Sequence, residues 1–287
     1  MSNRKTHLLV IDPQNDFCDQ PDDYLPQTGE RLAPALPVQG AHADMLRVAT
    51  LIERCGQRID AITVTLDSHQ RIDIAHPTFW QQGDGTAVQP FTPITAADVR
   101  EGRFVPRQTE ALPRVLAYLD ALEAAGRYTH MVWPVHCEIG SWGHNVHADV
   151  RAAYNRWEET TSVSVGKVLK GLNPWTEHYS AIRAEVPDSR DEGTQLNRAL
   201  IAQLKAADQV LIAGEAGSHC VKATTEHIAE AFDPADLPRL VLLTDCMSPV
   251  TGFESQYQGF IDDMRAKGLR IATSTEIMAE LLAGNGA

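Results

Sequence analysis

The chain has 287 residues, of which 43% are hydrophobic, and a formal net charge of −13 at pH 7. That is enough apolar material for a sizeable core, and an acidic balance without any basic run argues against nucleic acid or an anionic membrane as a partner. No apolar stretch approaches a membrane span, and the apolar part of MSNRKTHLLVIDP is too short for a signal-peptide core, so a cytoplasmic location is expected.

Strand-like and helix-like stretches alternate along the chain. The strand-like run Leu8–Ile11 is followed by helical spacing over Ala41–Cys55, and Ile59–Leu66 by Gln108–Ala125. His130–Pro134 then precedes Asn145–Trp157, Val163–Leu169 precedes Gly193–Ala206, and Val210–Ala213 precedes Val221–Phe232. Leu240–Thr244, Phe253–Lys267 and Leu269–Thr273 complete the series. This order predicts βαβ units in an α/β fold: three layers, doubly wound, with a mostly parallel sheet of about six strands and helices on both faces. Residues 1–287 read as one domain. Two Pro-rich segments, Cys18–Gln39 and Gly83–Pro106, interrupt the alternation as elaborations. Both follow strand ends that carry chemistry, where loops form lids or pocket walls. The five cysteines, Cys18, Cys55, Cys137, Cys220 and Cys246, are odd in number and irregularly spaced, unlike a disulfide framework.

Reactive residue types cluster at these strand ends, where an open α/β sheet places its ligand crevice. Cys220 in LIAGEAGSHCV lies between a strand and a helix start. Free N–H groups there favour a thiolate and can hold an oxyanion. Asp12 closes the strand LLVID, where a carboxylate can accept a thiol proton. Lys170 in VLKG can pair with Asp12 and steady a charged sulfur. Asp67, His69 and His76 form a D-x-H-x6-H pattern, to which the strand HMVWP adds His136. That donor set suits zinc first, then iron or manganese, with coordination positions left open as in a catalytic site. His144 and His147 compete less well with His136, because they begin a helix-like stretch. Phe17 and Trp133 can sandwich a flat heteroaromatic substrate at the pocket mouth. Each residue alone has a plainer reading: an inert buried cysteine, a turn-forming Asp, a surface lysine, core aromatics.

The stretches VIDPQNDFC, TLDSHQRIDIAHPTF, WPVHC, LKGLNPWTEHYSA, GEAGSHCVKATTEHIAEA and LLTDCMSPV together resemble the nicotinamidase branch of the isochorismatase-like cysteine hydrolases. The resemblance implies a catalytic triad of Asp12, Lys170 and Cys220, metal ligands Asp67, His69, His76 and His136, and stacking aromatics Phe17 and Trp133. It further implies an oxyanion hole from the N–H groups of Ala216 and Cys220, and a cis peptide at Glu215–Ala216. Glu215 stands where that family usually has an apolar residue, so a charge is expected to line the pocket and alter what binds.

The expected activity is metal-dependent hydrolysis of a small, heteroaromatic primary amide such as nicotinamide, through a thioester on Cys220, by a homo-oligomer. Rival readings are hydrolysis of another small amide or carbamoyl compound, such as maleamate or a biuret-like or ureidoacrylate-like molecule, and a non-catalytic metal-binding module on the same scaffold. A redox or thiol-transfer role is disfavoured by the lack of a Cys-x-x-Cys pair.

Overall fold

The computed structural model describes residues 4–26 and 32–283, so residues 27–31 of the first elaboration lie outside the described residues. Its main sheet has six parallel strands in the order β10-β9-β8-β1-β2-β7. These are β1 (Thr6–Ile11), β2 (Ala61–Asp67), β7 (Gly166–Lys170), β8 (Gln209–Gly214), β9 (Leu240–Leu243) and β10 (Arg270–Ala272). β1 and β8 sit centrally and are buried at every position, which explains their unbroken apolar runs. Helices cover both faces. On one, α1 (Ala41–Cys55) packs against α4 (Ala148–Thr161) and α8 (Ser274–Ala283); elsewhere α6 (Cys220–Ala231) packs against α7 (Glu254–Lys267). In α1 the residues Ala41, Met45, Val48, Ile52 and Cys55 face inward at helical spacing. Among the described residues no helix is long and apolar enough to cross a membrane.

Two parts of the molecule depart from the expected plan. The run at His130 does not join the main sheet: β6 (His130–Val132) pairs antiparallel with β4 (Thr92–Ile94). The Pro-rich segment 83–106 is more than loop. It holds β4, α2 (Ala96–Arg100) and β5 (Phe104–Pro106), which pairs with β3 (Trp80–Gln82). A capping box between Thr95 and Asp98 starts α2. Together with α3 (Leu112–Ala125) these elements enclose a second apolar core containing Trp80, Ile94, Val115 and Leu119. Strands of three residues are too short to show a period of two, so the composition read as loop. The start of α5 (Arg198–Lys205) is also later than the expected Gly193, because Asn197 caps it by accepting from Leu200 N.

The register sets up one edge of the main sheet. Asp67, the last residue of β2, lies opposite Lys170, the last of β7. Ile11 lies opposite Gly214, so Asp12 and the turn into α6 leave neighbouring strands side by side. Gly214 has φ +122°, and a Cβ there would stand 1.9 Å from the Ile11 carbonyl oxygen. Only glycine allows this close approach of the two strand ends.

Candidate active site

At that edge Asp12, Lys170 and Cys220 meet. The ammonium Nζ of Lys170 lies 2.9 Å from Asp12 Oδ2, 2.9 Å from Asp67 Oδ1 and 3.6 Å from Cys220 Sγ, and donates to the His178 carbonyl at 3.0 Å. Lys170 is 2% exposed and Asp12 is fully buried. Asp12 has φ +45°, in the left-handed region that few non-glycine residues adopt. Thr65 Oγ1 donates to Asp12 Oδ1 at 2.5 Å and accepts from Asp12 N at 3.0 Å, fixing the carboxylate from β2. Asp12 Oδ2 faces the Lys170 ammonium, and the Cys220 thiol hydrogen-bonds the Asp12 carboxyl group, which places an acceptor beside the sulfur's proton.

Burial raises the Asp12 pKa above the usual carboxylate range, with Lys170 opposing. Burial lowers and the two neighbouring carboxylates raise the Lys170 pKa; the carboxylates win, so Lys170 stays an ammonium. For Cys220, burial comes first and drives the pKa well above the usual thiol value; Lys170 pulls it down, while Asp12 and Asp67 push it up. Burial and the two carboxylates thus outweigh the pull toward a thiolate expected from the free N–H groups at this helix start. With two carboxylates against one ammonium in a dry corner, the proton stays on sulfur, with Asp12 beside it as acceptor.

Cys220 is the first residue of α6, and the bond Glu215–Ala216 is cis. Among the described residues the N–H groups of Ala216 and Cys220 have no backbone acceptor, and both residues line the cavity. Phe17 and Trp133 line it too, with Tyr179 and His219. Trp133 Nε1 donates to Tyr179 Oη at 3.0 Å, and the His219 ring meets Trp133 edge-on at 5.2 Å. The cavity measures about 20 Å³, room for roughly one water. A larger cavity of about 540 Å³, between Arg54–Arg58 and Arg156–Thr161, is lined by neither Cys220 nor the histidine cluster.

The metal-ligand candidates converge beside this cavity. Among the described residues, His69, His76 and His136 form a buried trio whose ring nitrogens lie within 4.8 Å of one another. Asp67 Oδ2 is 3.1 Å from His69 Nε2 and 3.3 Å from His136 Nε2. Three imidazoles and one carboxylate fit a zinc-type ion. Supporting contacts agree. Asp73 Oδ2 hydrogen-bonds His69 Nδ1 at 3.0 Å, leaving Nε2 toward Asp67. His136 Nδ1 hydrogen-bonds the Pro134 carbonyl at 2.8 Å. Burial lowers the His76 pKa to about 2, keeping it neutral as a ligand must be, whereas at His69 burial is outweighed by Asp67 and Asp73, which raise the pKa well above the usual imidazole range, so an ion there displaces a proton. His144 and His147 do not join them: His144 Nε2 pairs with Ser68 Oγ at 2.9 Å, and His147 Nε2 with His42 Nδ1 at 2.9 Å.

Several residues here went unread in the sequence. Asp73 sits inside RIDIAH and Glu177 inside LNPWTEHYS, so both were within reach as acids near candidate ligands. Glu177 lines the cavity with one carboxyl oxygen unpartnered among the described residues, and burial raises its pKa to about 7. Glu215, expected in the pocket, is not among the lining residues; its side chain accepts from Ser248 N at 3.2 Å. Of the two elaborations, Cys18–Gln39 reaches the cavity through Leu36, whereas Gly83–Pro106 only backs it, with Phe91 edge-on to Trp133 at 5.9 Å.

No family model and no curated protein matches the chain. Solved structures do. A nicotinamidase/pyrazinamidase of Acinetobacter baumanii covers 96% of this chain and 100% of its own, with a TM-score of 0.62 and 17% identity. An isochorismatase-like hydrolase from Alkaliphilus metalliredigens covers 96% and 98%, with a TM-score of 0.51 and 16% identity. The fold is that of the isochorismatase-like hydrolases. A third structure with this fold, the pyrazinamidase of Pyrococcus horikoshii in complex with zinc, covers 94% and 99% at a TM-score of 0.54 and 17% identity.

Proposed function

We propose that this chain is a cysteine amidohydrolase that cleaves a small, flat primary amide of the nicotinamide type to its acid and ammonia. The observation that carries this reading is the buried Asp12–Lys170–Cys220 cluster at the start of α6, opening on an aromatic-lined cavity. Structural neighbours named as nicotinamidases and pyrazinamidases support the choice of substrate class.

Binding comes first. Phe17, Trp133 and Tyr179 line the cavity, where aromatic rings can hold a planar substrate by stacking or edge contact, and the narrow cavity must widen by displacing lining side chains as the substrate enters. The Cys220 thiol then gives its proton to Asp12 as sulfur attacks the amide carbon. The resulting oxyanion accepts from Ala216 N–H and Cys220 N–H, donors worth about 3 kcal/mol each in comparable sites. Asp12 passes the proton to the departing nitrogen, the C–N bond breaks and ammonia leaves, with the acyl group on sulfur. A water gives a proton to Asp12 and attacks the thioester; the C–S bond breaks and the proton returns to sulfur. Lys170 stays charged throughout, holding Asp12 and offsetting negative charge at the sulfur. When bound by Asp67, His69, His76 and His136, a divalent ion supplies an electron-pair acceptor for a substrate ring nitrogen.

Ammonia release from nicotinamide, maleamate and carbamoyl compounds, before and after chelation, tests the reading. Release is expected from nicotinamide-type amides by the wild type and at less than a thousandth of that rate from Cys220→Ala. Undiminished release by Cys220→Ala rules the mechanism out.

A further inference from the structure

The turn that carries Ala216 and Cys220 rests on an acid pair outside the cavity. Glu215 is fully buried, and its Oε2 accepts from Ser248 N at 3.2 Å. Its Oε1 has no N–H or hydroxyl partner among the described residues, but the carboxyl group shares a hydrogen bond with that of Asp44 on α1. Asp44 is itself taken up: Arg47 donates to Oδ1 at 2.9 Å and Ser248 Oγ to Oδ2 at 2.5 Å. Two carboxyl groups share a hydrogen bond only when one keeps its proton. Asp44 already accepts from a cation and a hydroxyl, so the proton belongs to Glu215. Burial and then the charge of Asp44 raise Glu215 well above the usual carboxylate range, with Asp19 adding to this; burial also raises Asp44, but there Ser248, Glu215 and Arg47 oppose it, with Asp245 on the side of burial.

The pair is tied to the oxyanion donors through short steps. Ser248, held by Glu215 and Asp44, accepts from Gly217 N through its carbonyl at 2.8 Å. Glu215 N donates to the Ile11 carbonyl at 2.8 Å. Two residues on, Val250 N donates to Ser218 Oγ at 3.1 Å, and Val250 lines the cavity. The turn 215–220 is thus pinned on one side to β1 and on the other to the 248–250 segment, and Glu215 grips both.

Building on the amidohydrolase reading, we infer that Glu215 is a positioning residue for the oxyanion hole, its carboxylic acid bridging Asp44 and the Ser248 backbone so that the N–H groups of Ala216 and Cys220 keep their place on the cavity. An apolar side chain of similar size leaves Ser248 N without an acceptor and takes one donor from Asp44, which keeps Arg47 and Ser248 Oγ. Glutamine supplies both, its amide oxygen accepting from Ser248 N and its NH₂ donating to Asp44.

The experiment measures kcat, KM, affinity for the acid product and affinity for the aldehyde analogue of whichever amide the wild type hydrolyses. The aldehyde adds the Cys220 sulfur across its carbonyl, so its oxygen occupies the oxyanion position that the product does not test. Glu215→Gln is expected to keep kcat within about threefold of wild type. Glu215→Leu is expected to lower kcat and aldehyde affinity together by tenfold or more, with KM and product affinity within about threefold. If Glu215→Leu does not fold, Glu215→Leu with Asp44→Leu removes the buried carboxylate that has lost one of its donors, and the same selective loss is expected because Ser248 N still lacks an acceptor. Wild-type kcat in the folded leucine variant, or equal losses in kcat, KM and product affinity in both the Leu and Gln variants, overturns the inference. A wild type inactive on every amide instead overturns the functional reading, and this inference with it.

Discussion

Asp12, Asp67 and Lys170, at the carboxyl edge of the main sheet, are each at most 4% exposed, and Asp12 holds a positive φ. In the second core, around Trp80, Ile94, Val115 and Leu119, burial is mainly apolar, with the neutral His130 packed against Trp80, and nearby α2 begins with a regular capping box. Burying an ion costs several kcal/mol and is offset only by close partners; burying Leu or Trp is favourable outright. The first region therefore carries a cost that packing alone does not explain, and the second does not. Chemistry is expected to depend on the former and stability on both.

The sharpest way to break this comparison is Lys170→Met. It leaves Asp12 and Asp67 facing each other without their shared cation, which is expected to lower kcat by about 10³-fold and stability by about 3–5 kcal/mol. Steady-state kinetics and urea unfolding check both; a stable variant with wild-type kcat contradicts the account. Leu119→Ala in α3 probes the other region. A cavity there is expected to cost about 2–5 kcal/mol of stability, while kcat per folded molecule stays unchanged. A comparable fall in kcat means that the second core shapes the site after all.

The smallest effect concerns pH. Burial lowers His7 and His130 from 6.5 to about 4, so the fold holds both neutral. An unfolded chain takes up these protons below about 6.5, and stability is lost as pH falls from there toward 4. At pH 5 each contributes roughly 2 kcal/mol of loss. His7→Gln is expected to reduce the difference in unfolding free energy between pH 7 and pH 5 by that amount; an unchanged difference refutes the assignment.

How legible each region was follows from its length scale. The main sheet was readable because its central strands run through unbroken apolar stretches and its helices repeat over several turns. The candidate site was readable because Asp12, Asp67 and Lys170 stand at or just beyond the ends of those strands, and Cys220 opens the helix after one. His136 was found on a wrong premise: the strand before it pairs with β4 and not with the main sheet. The second core went unread because three-residue strands carry no periodic signal. Glu215 was misread because sequence places a side chain near a site without saying which way it turns, and the acid that holds it, Asp44, lies 171 positions earlier on a helix. Glu177 and Asp73 were missed because single acids in a loop have no spacing to mark them.

The central claim is that Cys220 carries the acyl group during turnover. Intact-mass measurement of enzyme quenched in acid during hydrolysis of the amide, followed by peptide mapping, tests it directly. The account predicts a mass increase equal to the acyl group on the peptide containing Cys220, absent from Cys220→Ala. Turnover with the acyl group on another residue, or full turnover by Cys220→Ala without any adduct, contradicts it.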